Sequence, residues 1–149
     1  MSDSPRNPCF LANITVPIDV SDRESWQIVL PLAVGLAKSY GAALHFVTVV
    51  PELYLPTTHQ PEQFIAGMVE RARELLAEIV ANNVPGDVKT TVAVTHGSIY
   101  RQIIVEAEKQ NADLILMNSH RPGMKSYLLG SNAARVTRYA NCSVYIVRA

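Results

Sequence analysis

A chain of 149 residues, 48% hydrophobic and 17% charged, suits one compact domain with its own core and excludes a disordered segment. Thirteen basic residues balance thirteen acidic ones, so no global field draws the chain to nucleic acid or an anionic membrane. Two cysteines, Cys9 and Cys142, are too few for a disulfide scaffold and read as a tail thiol and a small buried apolar residue.

The opening "MSDSPRNP" lacks the charged-then-apolar order of a secretory signal, and no apolar run approaches the roughly 20 residues of a membrane span. The sequons Asn13-Ile14-Thr15 and Asn141-Cys142-Ser143 are read as chance, since nothing indicates secretion. The expectation is a cytoplasmic protein with a flexible tail over 1–9 and a single domain over 10–149.

In chain order, "FLANITVPID" reads as a strand ending at Pro17. A helix follows, with Ser21 as its cap and Gly41 as its stop. Trp26, Val29, Leu30, Ala33, Val34 and Ala37 fall on one buried face of it, and Pro31 inside it removes a backbone donor and predicts a bend. "ALHFVTVV" is the second strand, halted by Pro51, and the prolines of "PELYLPTTHQP" argue for a loop. A second helix spans about 62–82, with Phe64, Met68, Ala72, Leu75, Leu76 and Ile79 facing inward.

Past the turn "NNVPGD", the alternation of "VKTTVAV" predicts a third strand at an exposed edge. Ser98 caps a third helix through Gln110, burying Ile103, Ile104 and Ala107. Then come the apolar strand "DLILMN", a basic loop, a helix from Ser131 to about Ala140, and a last strand "SVYIVR". Such alternation implies right-handed crossovers and a parallel sheet with helices on both faces. Ligands of these sheets bind beyond the carboxyl ends of the strands, where the strand order reverses. The segments 17–19, 48–50, 96–98 and the basic loop would meet there.

Several chemistries are excluded by motif. There is no Gly-x-x-x-x-Gly-Lys-Ser/Thr loop, no glycine-rich turn after the first strand, no Cys-x-x-Cys and no His-Glu-x-x-His. Ser119 and His120 are neighbours without the glycines of a nucleophile elbow, and His120 lacks a carboxylate to orient it as a base. What remains is Gly130-Ser131-Asn132 at a helix start, where unpartnered N–H groups and the positive dipole end suit an anion. An ordinary capped helix would read the same way.

The stretch "SHRPGMKSYLLGSNAARVTRYANCSVYIVR" resembles the C-terminal signature of the universal stress protein family. "ITVPIDVSD", "HFVTVVPE" and "THGSIYRQIIVEAEKQNADLILMNSH" resemble it too, in the right order, over nearly the whole chain. The resemblance implies a five-stranded parallel sheet in the order 3-2-1-4-5. It implies a homodimer through the last strand (Val144, Tyr145, Val147), with dimer against tetramer left open. In one branch it implies bound ATP, ADP or AMP, with Mg only through the nucleotide.

Carried over residue by residue, Pro17, Ile18 and Asp19 match the turn lining the adenosine pocket. Val49 matches the position facing the adenine edge, and Gly97 the glycine closing the pocket. Asn118, Gly130, Ser131 and Asn132 match the ribose and phosphate positions. The ATP-binding pattern, Gly-x-x-Gly, nine residues, then Gly-Ser/Thr, is altered here. Asn118 and Arg121 stand at its first two glycines, and eight residues separate Arg121 from Gly130. Charge and placement add Arg121 and Lys125 as phosphate partners, with His120 on the same loop. Asp19 reads equally as a helix cap, and Arg121 and Lys125 as solvated loop residues.

The expected function is an adenine-nucleotide-binding homodimeric regulator of stress response, with no nucleic acid or membrane partner and at most slow hydrolysis. The alternatives are a nucleotide-free interaction module of the same fold and a hydrolase of a small adenylated substrate.

Overall fold

The computed structural model describes residues 10–52, 61–119 and 129–148. The expected tail over 1–9, most of the proline-rich loop, and His120, Arg121 and Lys125 lie outside these residues. Among the described residues nine elements alternate: β1 (Asn13–Pro17), α1 (Arg23–Tyr40), β2 (Ala43–Pro51), α2 (Pro61–Asn83), β3 (Thr90–Gly97), α3 (Ile99–Lys109), β4 (Leu114–Asn118), α4 (Ser131–Tyr139) and β5 (Ser143–Val147). All strands pair in parallel, in the order β3-β2-β1-β4-β5, as the resemblance implied. β3 is an edge strand, in line with its alternating pattern.

Two apolar layers sandwich the sheet. On one face α1 and α2 bury Val29, Leu30, Ala33, Leu76 and Ile79 against Ile14, Val16, Leu44, Phe46 and Leu116. On the other, α3 and α4 bury Ile103, Ala107, Ala133 and Val136 against Ile115 and Met117. The central strands are apolar on both faces because helices cover both, which is why "LILM" reads as a continuous run.

The central pairing is pinned by a carboxylate. Asp113 Oδ2 accepts the N–H groups of Ala12 and Asn13, each at 2.9 Å, while its own N–H donates to Asn13 O at 2.8 Å. These bonds set β1 beside β4, with Ile14 opposite Leu114 and Thr15 opposite Ile115. A second polar tie crosses β1, β2 and β3. His45 contacts Thr91 Oγ1 at 2.7 Å through Nδ1 and Asn13 Oδ1 at 2.9 Å through Nε2. An amide oxygen only accepts, so the pattern assigns Nε2–H as donor and Nδ1 as acceptor of a neutral ring.

Several details differ from the sequence reading. Asp22, not Ser21, caps α1. Its carboxylate accepts Ser25 N–H at 3.3 Å and its carbonyl accepts Ser25 Oγ at 2.8 Å. Ser21 instead donates to Asp19 Oδ1 through both N–H (3.0 Å) and Oγ (2.6 Å). Gly41 ends the helix as expected, in the left-handed conformation at φ 67°. Pro31 leaves α1 continuous over its 18 residues, on an exposed side where the carbonyl it deprives of a donor can be solvated.

β2 runs through Pro51, which pairs with Gly97, so the proline ends the strand from inside it. Phe64 is 52% exposed rather than inward, because the first turns of α2 stand beyond the carboxyl edge of β2 and flank a groove there. On α3 the buried face holds Glu106, tied to Lys109 at 3.1 Å, while Ile104 is only half-buried. Ser98 occupies the α3 cap position without a side-chain cap bond, and Cys142 is half-buried.

Two stability predictions follow from these ties. Asp113→Ala removes two hydrogen bonds to a carboxylate and should lower the unfolding free energy by about 2–3 kcal/mol in urea titration. Asp113→Asn keeps an acceptor oxygen and should lose less. Burial lowers the pKa of His45 from its ordinary 6.5. The unfolded chain therefore takes the proton first as pH falls below 6.5, and stability declines until the lower folded value is passed. Melting curves between about pH 7.5 and 5 should fall more steeply for the wild type than for His45→Gln; parallel curves would remove His45 from the acid response.

Candidate functional site

The strand order reverses between β1 and β4, so the chain leaves their carboxyl ends in opposite directions and opens a cleft there. The backbone after β1 turns sharply. Ile18 N–H donates to Val47 O at 2.8 Å, and the Asp19 side chain then folds the next two residues into a turn. That turn delivers Asp22 to cap α1 and leaves Asp19 exposed at the rim.

The cleft holds a cavity of about 320 Å³ lined by Pro17, Ile18, Asp19, Val49, Asn118 and Asn132, six of the residues singled out from sequence. Its size lies within the range of small-molecule sites. Carbon from Val47, Ile99, Ile103 and Met117 completes the wall, and Asp22 and Ser25 add polar atoms. The cavity thus combines an apolar slot with amides and a carboxylate at its edge. Asn118 is fixed across the cleft, its Nδ2 donating to Ser25 O at 3.2 Å.

Gly130 and Ser131 do not line that cavity, but they begin α4 beside it. Gly130 is the cap residue, with φ −59° and no side-chain cap bond, so the first N–H groups of α4 have no side-chain acceptor among the described residues. It is buried, and a Cβ built on it would stand 3.4 Å from Ser119 O. The end of β4 and the start of α4 therefore touch. Ser119 is tied in turn to β5, its N–H donating to Val147 O at 3.1 Å.

Gly97 sits at the other side of the cleft, outside the cavity lining. Its φ of 137° requires glycine, and an added Cβ would meet Gln102 Nε2 at 3.2 Å. It acts by turning β3 into α3, which brings Ile99 and Ile103 to the wall. A second, more apolar groove of about 590 Å³ adjoins the cavity. It shares Asp19, Ser21, Thr48, Val49 and Pro51 and is flanked by Phe64 and Met68 of α2.

Sequence reasoning missed Asp22 and Ser25. The signal was present, since an Asp three residues before Ser25 at the head of an apolar helical run is a strong N-cap candidate. Met117 is both 6% exposed and part of the cavity wall. Among the described residues no group of His, Cys, Asp and Glu is arranged to hold a metal ion. No described helix is long and apolar enough to cross a membrane.

The comparisons agree with this architecture. Residues 11–148 match the model of the Universal stress protein family. Universal stress protein G of Shigella flexneri is 29% identical over 139 residues, covering 91% of this chain and 97% of that one. A universal stress protein of Methanocaldococcus jannaschii is 32% identical over 120 residues, covering 78% and 71%. Among solved structures, universal stress protein UspA from Lactobacillus plantarum superposes with a TM-score of 0.73 at 21% identity, over 93% of this chain and 99% of that one. A universal stress protein in complex with cAMP gives 0.59 at 21% identity, over 93% and 98%. The Archaeoglobus fulgidus universal stress protein in complex with dAMP gives 0.60 at 18% identity, over 92% and 98%. With the family's sheet order, a cleft at its reversal point and a match over nearly its whole length, the chain belongs to the universal stress protein family.

Proposed function

We propose that this protein is a cytoplasmic, homodimeric regulator of stress response that binds an adenine nucleotide in the cleft between β1 and β4. The observation that carries the reading is the meeting of Pro17, Ile18, Asp19, Val49, Asn118 and Asn132 in one cavity. The cAMP and dAMP complexes of structural neighbours support the same ligand class. Pro17, Ile18 and Val49 form the slot for the adenine. Asp19 Oδ1 is engaged by Ser21, which leaves Oδ2 to accept from ribose hydroxyls. Asn118 and Asn132 flank the sugar, and the N–H groups of Ser131 and Asn132 face the phosphates.

ATP, ADP and AMP all fit this scheme, with Mg carried by the phosphates, and His120, Arg121 and Lys125 are assigned to the phosphate side. The described walls supply shape and hydrogen bonds, which favours a nucleotide that is held rather than rapidly hydrolysed.

Dimerisation is assigned to β5. This strand pairs with β4 alone among the described strands, so its outer edge is available to a second copy. Val144 and Ile146 pack beneath α4, and Val147 packs against the α1 layer. Tyr145 is 45% exposed and is the residue left for the partner.

The nucleotide reading is tested by heat and by titration. Mg-ATP at about one hundred times its dissociation constant should raise the melting temperature by about 5–10 °C. Ser131→Ala should weaken ATP about tenfold to a hundredfold, one hydrogen bond to a charged group being lost. Gly130→Val should abolish binding by prising α4 from Ser119, while Gly130→Ala, which only makes contact there, keeps the fold. An unmoved melting temperature with ATP, ADP and AMP alike would leave the nucleotide-free interaction module as the reading.

The dimer is tested by Tyr145→Lys, which spares the two packed layers and should give monomers in light scattering. An unchanged dimer would move the interface away from β5.

A further inference from the structure

A second concave site lies on the outer surface between α3 and α4, and it shares no residue with the nucleotide cavity. Its volume is about 570 Å³, and it is lined by Ser98, Tyr100, Arg101, Arg135, Arg138 and Tyr139. The chain as a whole is electrically balanced, yet this groove gathers three guanidinium groups. None of them makes a salt bridge with a carboxylate among the described residues.

The groove is also ordered. The Tyr100 ring has the Arg101 guanidinium at 5.7 Å on one contact and that of Arg135 at 5.3 Å on another. Arg101 Nε further donates to Tyr100 Oη at 3.0 Å. Arg138 lies 5.5 Å from the Tyr139 ring, and the two tyrosine rings are 6.0 Å apart at 33°. Cation–π contacts hold guanidinium groups without using up their outward N–H donors. Arg135 and Arg138 are thus positioned but not neutralised, and Arg101 lies in the field of Glu52 without a salt bridge to it. Ser98 stands at the start of α3 without capping it, so the positive end of that helix opens on the same groove.

Arginines arrayed with exposed aromatic faces suit one ligand chemistry: phosphate joined to a planar ring. Guanidinium forks take phosphate oxygens in pairs, and a base stacks on tyrosine whatever its identity. A carboxylate ligand would use the arginines but leave the rings unemployed. We propose that the α3–α4 groove is a second, sequence-tolerant site for a nucleotide, either free or as part of a single strand. Tyr139, 53% exposed at the end of α4, is the stacking platform. Arg135 and Arg138, one turn apart on α4, take the phosphates, with Arg101 opposing them from α3.

The test uses the full-length protein and three probes: ATP, inorganic pyrophosphate, and a fluorescein-labelled ribo-oligonucleotide of about eight adenines, within the site sizes known for single strands. Binding is followed by anisotropy and calorimetry at two salt concentrations. Arg135→Ala/Arg138→Ala should keep the fold, since both positions are exposed and alanine favours helix. It should weaken the oligonucleotide about tenfold to a hundredfold and flatten its salt dependence by roughly 0.7 per lost phosphate contact. Tyr139→Leu should weaken it about fivefold or more with the salt dependence unchanged.

Ser131→Ala separates this site from the cleft, since it should weaken the cleft's ATP while leaving α4 in place and oligonucleotide binding intact. Loss of a second equivalent of ATP in the double arginine variant would identify the free nucleotide as the ligand. Loss of the oligonucleotide alone would identify the strand. Pyrophosphate binding as tight as either would overturn the role of the rings. Equal binding of every probe by wild type and the double variant, or none by wild type at low salt, would overturn the site.

Discussion

The structure depends on the parallel pairing of β1 with β4, strands whose starts are about a hundred positions apart in the chain. Nothing local favours this contact, and the entropy of closing so long a loop opposes it. It is held by the register of Ile14 with Leu114 and of Thr15 with Ile115, and by the Asp113 carboxylate on two backbone N–H groups. The same pairing reverses the strand order. The helices that follow β1 and β4 therefore pack on opposite faces, and a cleft opens beyond the strand ends. The site is a consequence of the topology before it is a matter of particular side chains.

Within the cleft, carbon comes mainly from strand ends, Pro17, Val47, Val49 and Met117 of β1, β2 and β4, with Ile99 and Ile103 of α3 and the polar Asn118 of β4 as exceptions. Helix starts give polarity, because their first N–H groups and capping side chains have no place in the core. Asp22 and Ser25 open α1, and Asn132 lies in the first turn of α4. The two helices come from opposite faces of the sheet, so polar groups converge on the cavity from both sides. A ring in the slot with an anion toward α4 matches that division.

The groove between α3 and α4 is built on another principle. There the charges are not helix-end dipoles alone but arginines braced on tyrosine rings, and the α3–α4 packing sets their spacing. Its residues lie on the outer surfaces of helices whose inner faces, Ile103, Ala107, Ala133 and Val136, are committed to the core. Substitution in the groove can therefore change binding while leaving the fold in place.

The alternation of strand and helix was legible in the sequence because each element carries its own period. "LILM" and "ALHFVTVV" are apolar runs of strand length, and Val29, Leu30, Ala33 and Ala37 repeat at helical spacing. The edge position of β3 was expected from the alternation in "TTVAV" and is observed, although its burial does not alternate. Half of the expected site residues share one cavity, and it was the family resemblance rather than periodicity that singled them out, at strand ends and a helix start. What the sequence alone did not decide were the contacts between distant segments. Asp113 gripping Ala12, His45 bridging Asn13 and Thr91, Asp22 rather than Ser21 at the mouth of α1, and Phe64 turned outward each depend on neighbours in space. Tyr100 beside Tyr139, with three arginines around them, is of the same kind. Local periods determine which face of an element is apolar, but only packing determines what that face meets, and sites are made where the meeting is polar.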